Sequence, residues 1–275
     1  MQARLTFLGS GTSMGVPTLG CRCAVCTSTD PHDKRLRPSV VIDWTGVEGQ
    51  QRTVLVDTGP DFRQQALRHG ITRVDAVLYT HDHADHILGM DDLRPYSFAA
   101  FRAGGPIPLY TDAGTASTLE RIYHYTLAPG ATYANRARVE LHPLTDRIRI
   151  HELEIIRIPV VHGPQEISGF RFGDVAYLTD VSFIPESSFD LLTGPGNCSL
   201  ENLVLPSLRH TPHPSHANVE QAVAWAKRIG ARHTWLTHIA HELGHEETNK
   251  MLPSGVALAY DGLEIPINLS EAGQE

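Results

Sequence analysis

The stretch Thr80-His81-Asp82-His83-Ala84-Asp85-His86 indicates the fold of this 275-residue chain, and it directly follows the apolar run of residues 76–79. His81 and His83 project to the same side if the segment stays extended, and Asp85 and His86 follow where the chain turns. Imidazole and carboxylate together are ligands that Zn²⁺, Mn²⁺ and Fe accept. The stretch therefore predicts a metal site at the end of a buried strand.

This string of residues resembles the His-x-His-x-Asp-His signature of the metallo-β-lactamase superfamily. The resemblance implies an α/β (α+β) fold, the αββα sandwich of two mixed β-sheets flanked by helices, with a dinuclear metal site at the sheet edges. Members of that family need three further ligands at later strand ends. The chain offers them in order in Pro159-Val160-Val161-His162, Tyr177-Leu178-Thr179-Asp180 and Trp235-Leu236-Thr237-His238.

The resemblance also implies how the ligands are shared between two divalent ions, Zn²⁺ or Mn²⁺. One ion is assigned to His81, His83 and His162, the other to Asp85, His86 and His238, and Asp180 bridges them. Asp57 follows the apolar run 53–56. It matches the acidic residue that, in this superfamily, contacts a metal ligand and orients it without binding the metal itself. The alternative for Asp57 is a helix N-cap before Pro60.

Apolar and β-branched runs bounded by turn residues predict twelve strands. They are residues 4–8, 39–43, 53–57, 76–80, 107–110, 153–159, 169–172, 175–179, 202–205, 233–237, 256–260 and 263–267. Helical periodicity predicts helices over 60–69, 113–125 and 219–229, the last with Asn218 as N-cap and Gly230 as its end. Residues 192–198 read as a surface loop, and no linker divides the chain, so we expect one domain over residues 1–275.

The composition excludes several classes of protein. The net charge of −8 argues against a protein that coats nucleic acid, and no apolar run approaches the roughly 18 residues that a membrane span needs. The apolar run 5–8 is too short for a signal peptide. We therefore expect a soluble cytoplasmic protein with no membrane partner.

Three of the four cysteines, Cys21, Cys23 and Cys26, lie within six residues, which favours a metal over disulfides. A closed zinc site needs a fourth ligand. His241, three residues after His238, is our candidate. Together with the opening Gly9-Ser10-Gly11-Thr12-Ser13-Met14-Gly15-Val16-Pro17, these residues resemble the phosphoribosyl cyclic phosphodiesterases of the carbon-phosphorus lyase pathway. That family ties an N-terminal insertion, here around residues 20–37, to the core with a structural Cys₃His zinc site, and its precedent suggests a homodimer.

The catalytic assignments are His216 and Asp85. The family places a catalytic histidine in a loop ahead of a helix, and His216 aligns best, although His210 and His213 lie in the same segment and the choice among them is open. An imidazole with a pKa near 6.5 can give a proton to a leaving alkoxide. Arg94 is a candidate phosphate or sugar contact, with an ion pair to Asp91 or Asp92 as the favoured alternative.

These observations predict hydrolysis of a small, cyclic phosphodiester by a metal-bridging hydroxide. Two cations about 3.5–4 Å apart lower the pKa of a shared water to about 7. The alternatives are a thioester or lactone hydrolase, which uses the same ligands, and a tRNA 3′-processing nuclease, which needs a basic arm that this sequence lacks. A non-catalytic zinc module would leave the seven ordered ligands unexplained.

Overall fold

The computed structural model describes residues 2–193 and 199–269. Two seven-stranded sheets form its centre. The first has the order β14-β1-β2-β3-β4-β5-β6 and consists of β1 (Gln2–Gly9), β2 (Ser39–Thr45), β3 (Gln51–Val56), β4 (Ala76–Leu78), β5 (Ile107–Thr111), β6 (Val139–Pro143) and β14 (Glu264–Asn268). The second has the order β13-β12-β11-β10-β9-β8-β7 and consists of β7 (Arg147–Ile150), β8 (Leu153–His162), β9 (Gln165–Phe172), β10 (Val175–Tyr177), β11 (Asn202–Pro206), β12 (His233–Thr237) and β13 (Val256–Leu258).

Helices lie on the outer faces of both sheets. They are α1 (Ala24–Thr27), α2 (Phe62–Arg68), α3 (Ala84–Ile87), α4 (Arg94–Ala103), α5 (Ala113–Ile122), α6 (His124–Leu127), α7 (Glu186–Thr193), α8 (Val219–Ile229) and α9 (His245–Met251), with 3-10 turns at Pro31–Asp33 and Met90–Leu93. Among the residues described, no helix is long and apolar enough to cross a membrane.

Three apolar layers hold this arrangement together. Leu5 and Phe7 of the first sheet meet Phe170 and Tyr177 of the second in a layer between the sheets. One outer layer packs helices, including α8, on the second sheet, and the other packs helices, including α2, on the first. Each fully buried side chain of this size contributes about 1.5–3 kcal/mol. The predicted αββα sandwich is confirmed.

All twelve predicted strands are present, with ends that differ by up to four residues. The sequence did not predict β6 and β7, each of which is an edge strand of its own sheet, nor the helices α1, α3, α4, α7 and α9. The helix predicted over 113–125 is interrupted at Tyr123, which ends α5 and precedes α6. The loop predicted over 192–198 is partly wrong because Leu192 belongs to α7, and residues 194–198, with the fourth cysteine, lie outside the described residues.

The best-defined predicted helix, α8, begins and ends as expected. The Asn218 side chain accepts a hydrogen bond from the backbone N–H of Gln221 (2.9 Å), and the Gln221 side chain accepts one from Asn218 N–H (3.1 Å). Gly230 ends the helix with φ 73°, a left-handed conformation that glycine adopts without strain. This reciprocal cap fixes the start of α8 and therefore the loop that carries His216 just ahead of it.

Candidate active site

Four strand ends deliver the predicted ligands to one edge of the sandwich. The His81 to His86 segment follows β4, His162 is the last residue of β8, Asp180 follows β10 and His238 follows β12. Strands β10, β11 and β12 are parallel, so their carboxyl ends meet at the same edge. A hydrogen bond from Ser168 N–H to the Thr80 carbonyl (3.0 Å) connects β9 of the second sheet to the histidine segment of the first.

Site A consists of His81, His83, His162 and Asp180, whose ligand atoms all lie within 4.8 Å of one another. His162 Nε2 lies 3.3 Å from His83 Nδ1, and His81 Nε2 lies 3.6 Å from Asp180 Oδ2. His83 is exposed while the other three side chains are buried. A solvent path therefore reaches site A on the side of His83.

Site B consists of Asp85, His86, Asp180 and His238, all buried and again with ligand atoms within 4.8 Å. His86 Nε2 lies 3.2 Å from Asp85 Oδ2, and His238 Nε2 lies 3.2 Å from Asp180 Oδ1. Asp180 belongs to both sites, one carboxylate oxygen close to His81 of site A and the other to His238 of site B. The structure thus brings all seven predicted ligands together in two clusters that share Asp180.

The polar atoms at the centre of the two sites are not satisfied by hydrogen bonds to one another, but they suit divalent cations. Four buried atoms that face the centre of the cluster have no hydrogen-bond partner: His81 Nε2, Asp85 Oδ2, His86 Nε2 and His238 Nε2. Buried polar atoms are nearly always paired, so four orphans in one cluster indicate a missing partner that accepts lone pairs. Histidine nitrogens and carboxylate oxygens are donors that Zn²⁺, Mn²⁺ and Fe bind, and these residues fit a metal site.

The pKa shifts of Asp180 and His81 agree with metal binding, whereas burial of His86 is outweighed by the carboxylates Asp85, Asp180 and Asp57, which raise its pKa well above the usual value. Burial raises the pKa of Asp180, but the charges of His238 and His86 outweigh burial and hold that pKa well below its usual range. Burial lowers the pKa of His81 well below its usual value, and the neighbouring His86 lowers it further. Carboxylate and neutral imidazole are the forms that coordinate cations.

Asp57 orients one of these ligands. Its carboxylate is fully buried and accepts hydrogen bonds from His86 Nδ1 (2.7 Å), from the Thr80 backbone N–H (2.8 Å) and from the Thr80 hydroxyl (2.8 Å). The bond to Nδ1 leaves Nε2 of His86 facing site B. The alternative of a helix cap is wrong, because α2 begins after Asp61.

Backbone contacts hold the remaining ligands. His162 Nδ1–H donates to the Ser215 carbonyl (2.7 Å), which turns Nε2 toward site A. Asp57, Asp180 and His238 each have a positive φ, of 63°, 58° and 54°. Non-glycine residues rarely adopt this conformation, and it is concentrated at functional sites. Each of the three ends a strand with a sharp turn that aims its side chain at the cluster.

A glycine makes room for the ligand loop. A Cβ atom at Gly59 would lie 2.0 Å from the Asp85 backbone carbonyl, so any larger residue would push the segment that carries Asp85 and His86 away from its place. The sequence alone did not reveal this role of Gly59.

His216 is the loop histidine nearest to the two sites. Its ring centroid lies 4.6 Å from that of His162 and 4.6 Å from that of His238, whereas the His213 ring lies against His216, at 5.1 Å, and its Nδ1 accepts from the Ser215 backbone N–H (3.3 Å). His210 is exposed and contributes its backbone carbonyl to Asn218. Burial, and then the charge of His238, lower the pKa of His216 to about 3, so the ring is neutral at pH 7, unlike the imidazole near 6.5 that the sequence suggested.

Cys21, Cys23, Cys26 and His241 also converge, with ligand atoms within 4.8 Å, and we call them the cysteine cluster. His241 Nδ1 lies 3.3 Å from the sulfurs of Cys21 and Cys23. Hydrogen bonds from the Cys26 backbone N–H and from His241 lower the pKa of Cys23 to about 6, so the Cys23 thiolate is populated at neutral pH, whereas burial raises the pKa of Cys26 to about 11.

Arg35 ties the same insertion to the core. Its guanidinium is buried, pairs with Asp33 (2.9 Å) and donates to the carbonyls of Ala240 (3.1 Å) and Leu243 (2.7 Å). These carbonyls flank His241. Sequence reasoning missed Arg35, because a basic residue in a loop gives no signal that its partners lie two hundred residues away.

Arg94 begins α4 and forms a partly exposed ion pair with Asp91, at 3.8 Å. This is the alternative that the sequence analysis favoured. A contact from Arg94 to substrate stays a prediction.

Comparison with known proteins shows the family to which this chain belongs. The model of the beta-lactamase superfamily domain matches residues 52–239, and the chain belongs to this superfamily of metallo-β-lactamase-fold hydrolases. Among solved structures, a diphosphatase of the PhnP family is 49% identical, with a TM-score of 0.87 over 97% of this chain and 98% of that one. The chain is thus PhnP-like within its superfamily, and the predicted resemblance is confirmed.

Two curated relatives carry other names. An octanoyltransferase of Porphyromonas gingivalis is 35% identical over 271 residues, which are 96% of this chain and 52% of that protein. Coenzyme PQQ synthesis protein B of Methylobacterium nodulans is 36% identical over 96 residues, or 32% of each protein. This chain spans about half the length of the first relative and a third of the second.

Proposed function

We propose that this protein hydrolyses a phosphorus–oxygen bond in a small phosphodiester or diphosphate, with two divalent metal ions held at site A and site B. The observation that carries the proposal is the pair of ligand clusters sharing Asp180, with four buried ligand atoms unpartnered. The similarity to a PhnP-family diphosphatase over nearly the whole chain supports phosphoryl chemistry. The cyclic phosphodiester expected from the sequence falls within this class.

The chain's own residues bind the ions and attract the substrate. When bound, two divalent cations supply an activated water at neutral pH and positive charge for the transition state. Asp85 and Asp180 contribute two negative charges, whereas two divalent cations would contribute four positive charges. The site is therefore net positive and attracts an anionic ester into a protein whose overall charge is −8.

We propose that His216 donates a proton to the leaving oxygen. Its ring lies against ligands of both sites, and its Nδ1 is buried without a hydrogen-bond partner. A neutral ring is a poor acid, but an anionic phosphate beside it favours the protonated form. His216 then holds a proton close to the place where the alkoxide leaves.

The cysteine cluster is proposed to bind a structural zinc ion, because three thiolates and an imidazole form a closed tetrahedral set. Either Zn²⁺ or Mn²⁺ suits the ligands of sites A and B. The homodimer and the cytoplasmic location stay predictions.

Acyl hydrolysis is the second candidate, because site A and site B ligands serve an acyl carbon as well and one relative is named an octanoyltransferase. Purified protein, stripped of metal and reloaded with Mn²⁺ or Zn²⁺, should be assayed on bis(p-nitrophenyl) phosphate, a ribose cyclic phosphate, a dinucleoside diphosphate and an acyl thioester. His83→Ala tests the metal centre, and His124→Ala, at an exposed histidine, is the matched control.

We expect hydrolysis of at least one phosphorus substrate, loss of that activity in His83→Ala and wild-type activity in His124→Ala. Strong thioester turnover without hydrolysis of any phosphorus substrate would overturn the proposal in favour of the second candidate.

A further inference from the structure

A cavity of about 620 Å³, which we call the remote cavity, lies at the edge of the sandwich opposite the candidate active site. Its walls come from the segments 72–75, 96–110 and 149–151. Asp75 lies next to the start of β4, and β4 leads to the segment that carries His81. His151 lies just before β8, which rises about 30 Å from there to His162 of site A. The remote cavity is therefore distinct from sites A and B, and its residues take no part in the proposed function.

Small residues make room for the remote cavity. The end of α4 and the loop after it line one side with Ala99, Ala100, Ala103, Gly104 and Gly105. A Cβ atom at Gly104 or at Gly105 would meet no heavy atom within 4 Å, so the space beside this loop is open. The volume lies within the roughly 300–1,000 Å³ that small-molecule sites occupy.

Two tyrosines give the remote cavity an aromatic lining. Tyr96 of α4 and Tyr110 of β5 both line it and are partly buried. The Tyr96 hydroxyl donates to the Ile71 carbonyl (2.9 Å), which holds this ring against the chain ahead of β4. Val74 and Ile107 add apolar surface. Such a lining suits a flat ring in the ligand.

The exposed charges of the remote cavity are basic. Arg73, Arg149 and His151 line it and are exposed. Arg149 lies opposite Glu154 across the β7–β8 pair, but Glu154 pairs with Arg147 (3.5 Å). Among the described residues, no acidic side chain pairs with Arg149, so its guanidinium is available to a ligand.

Asp75, the acidic residue of the wall, is already neutralised. Its side chain is 4% exposed, and its carboxylate pairs with Arg73 (2.6 Å) and Arg52 (3.4 Å) and accepts from the Thr53 backbone N–H (2.8 Å). With Arg149, three guanidinium groups lie in this region against one buried carboxylate. The region is therefore net positive in a protein whose overall charge is −8.

We propose that the remote cavity binds an aromatic phosphate of the size of a nucleoside monophosphate, with its phosphate at Arg149 and its ring beside Tyr96 and Tyr110. A guanidinium binds phosphate oxygens through two parallel hydrogen bonds, each roughly twice as strong as a bond between neutral groups. A water molecule occupies about 30 Å³ in the liquid, so the cavity holds the equivalent of about twenty, enough for a purine, a pentose and a phosphate.

Titration calorimetry on the metal-loaded protein tests this inference with four probes: adenosine 5′-monophosphate, adenosine, ribose 5-phosphate and inorganic phosphate. Arg149→Gln removes the charge at an exposed position. Arg102→Gln, at an exposed residue of α4 outside the cavity wall, makes the same change in net charge and is the control. Both substitutions are repeated in a His83→Ala background, where a ligand bound at the metal centre would be weakened.

We expect adenosine 5′-monophosphate to bind at least about tenfold more tightly than the other three probes, because it alone makes both contacts. Arg149→Gln should weaken its binding at least about tenfold in both backgrounds, whereas Arg102→Gln and His83→Ala should leave it unchanged. No measurable binding, equal affinity for inorganic phosphate, or unchanged affinity in Arg149→Gln overturns the inference. Binding lost in His83→Ala would place the ligand at the metal centre and also overturn it. None of these readouts depends on hydrolysis, so the proposed function is tested separately.

Discussion

Replacing Asp57 with asparagine isolates the residue that orients His86. Three donors reach this carboxylate at 2.7–2.8 Å: His86 Nδ1, the Thr80 backbone N–H and the Thr80 hydroxyl. Asparagine has one acceptor oxygen, so its NH₂ group must face either the Thr80 N–H or the His86 N–H. We expect the backbone conformation to be unchanged, because asparagine tolerates the positive φ of 63° at this position.

The expected loss has two parts. A buried donor left without a partner costs about 1–3 kcal/mol of folding free energy. Loss of a partner behind a metal ligand typically lowers metal affinity or activity by about 10–100-fold, which corresponds to about 1.4–2.8 kcal/mol. We therefore expect Asp57→Asn to fold, to bind the site B ion about 10–100-fold more weakly and to lose kcat/KM to a similar extent at limiting metal.

Competition with a chromophoric chelator measures the metal affinity, and urea unfolding measures the folding free energy. Asp43→Asn is the control, since Asp43 pairs with the half-exposed Arg4 on the surface of β2. Wild-type metal affinity and activity in Asp57→Asn would refute the role that the structure gives to Asp57.

Three further substitutions test other parts of the molecule. Cys23→Ala should remove one zinc ion per chain and lower the thermal unfolding midpoint, while sites A and B keep their ions; unchanged zinc content would count against the cysteine cluster. His216→Ala should lose far more activity on alkyl phosphodiesters than on nitrophenyl esters, whose leaving group needs little protonation, and equal losses would exclude the acid role. Arg35→Met should cost about 3–5 kcal/mol in urea unfolding, because it leaves Asp33 buried without its partner; a loss below about 1 kcal/mol would contradict that account.

Much of the candidate site was predictable because its ligands come in a short local string and at the ends of strongly apolar strands. The spacing of His81, His83, Asp85 and His86 needs no tertiary information, and apolar runs that form strands precede His162, Asp180 and His238. The cysteine triad is equally local. For these residues, composition and position along the chain carry the signal directly.

Other parts depend on partners that sequence does not display. The Ser215 carbonyl that holds His162 is a backbone group, and any residue supplies one. The pKa of His216 falls because of what surrounds the ring in three dimensions. Strands β6 and β7 were missed because they are short edge strands in which exposed residues, Glu140 in β6 and Arg147 and Arg149 in β7, interrupt the apolar pattern.

The central claim is that sites A and B hold two metal ions that share Asp180. The most direct measurement is anomalous diffraction at the zinc or manganese edge from crystals of protein that retains its activity, together with elemental analysis. The account predicts two peaks about 3.5–4 Å apart among the His and Asp ligands, on either side of Asp180. A single peak, or none, in active crystals would contradict it.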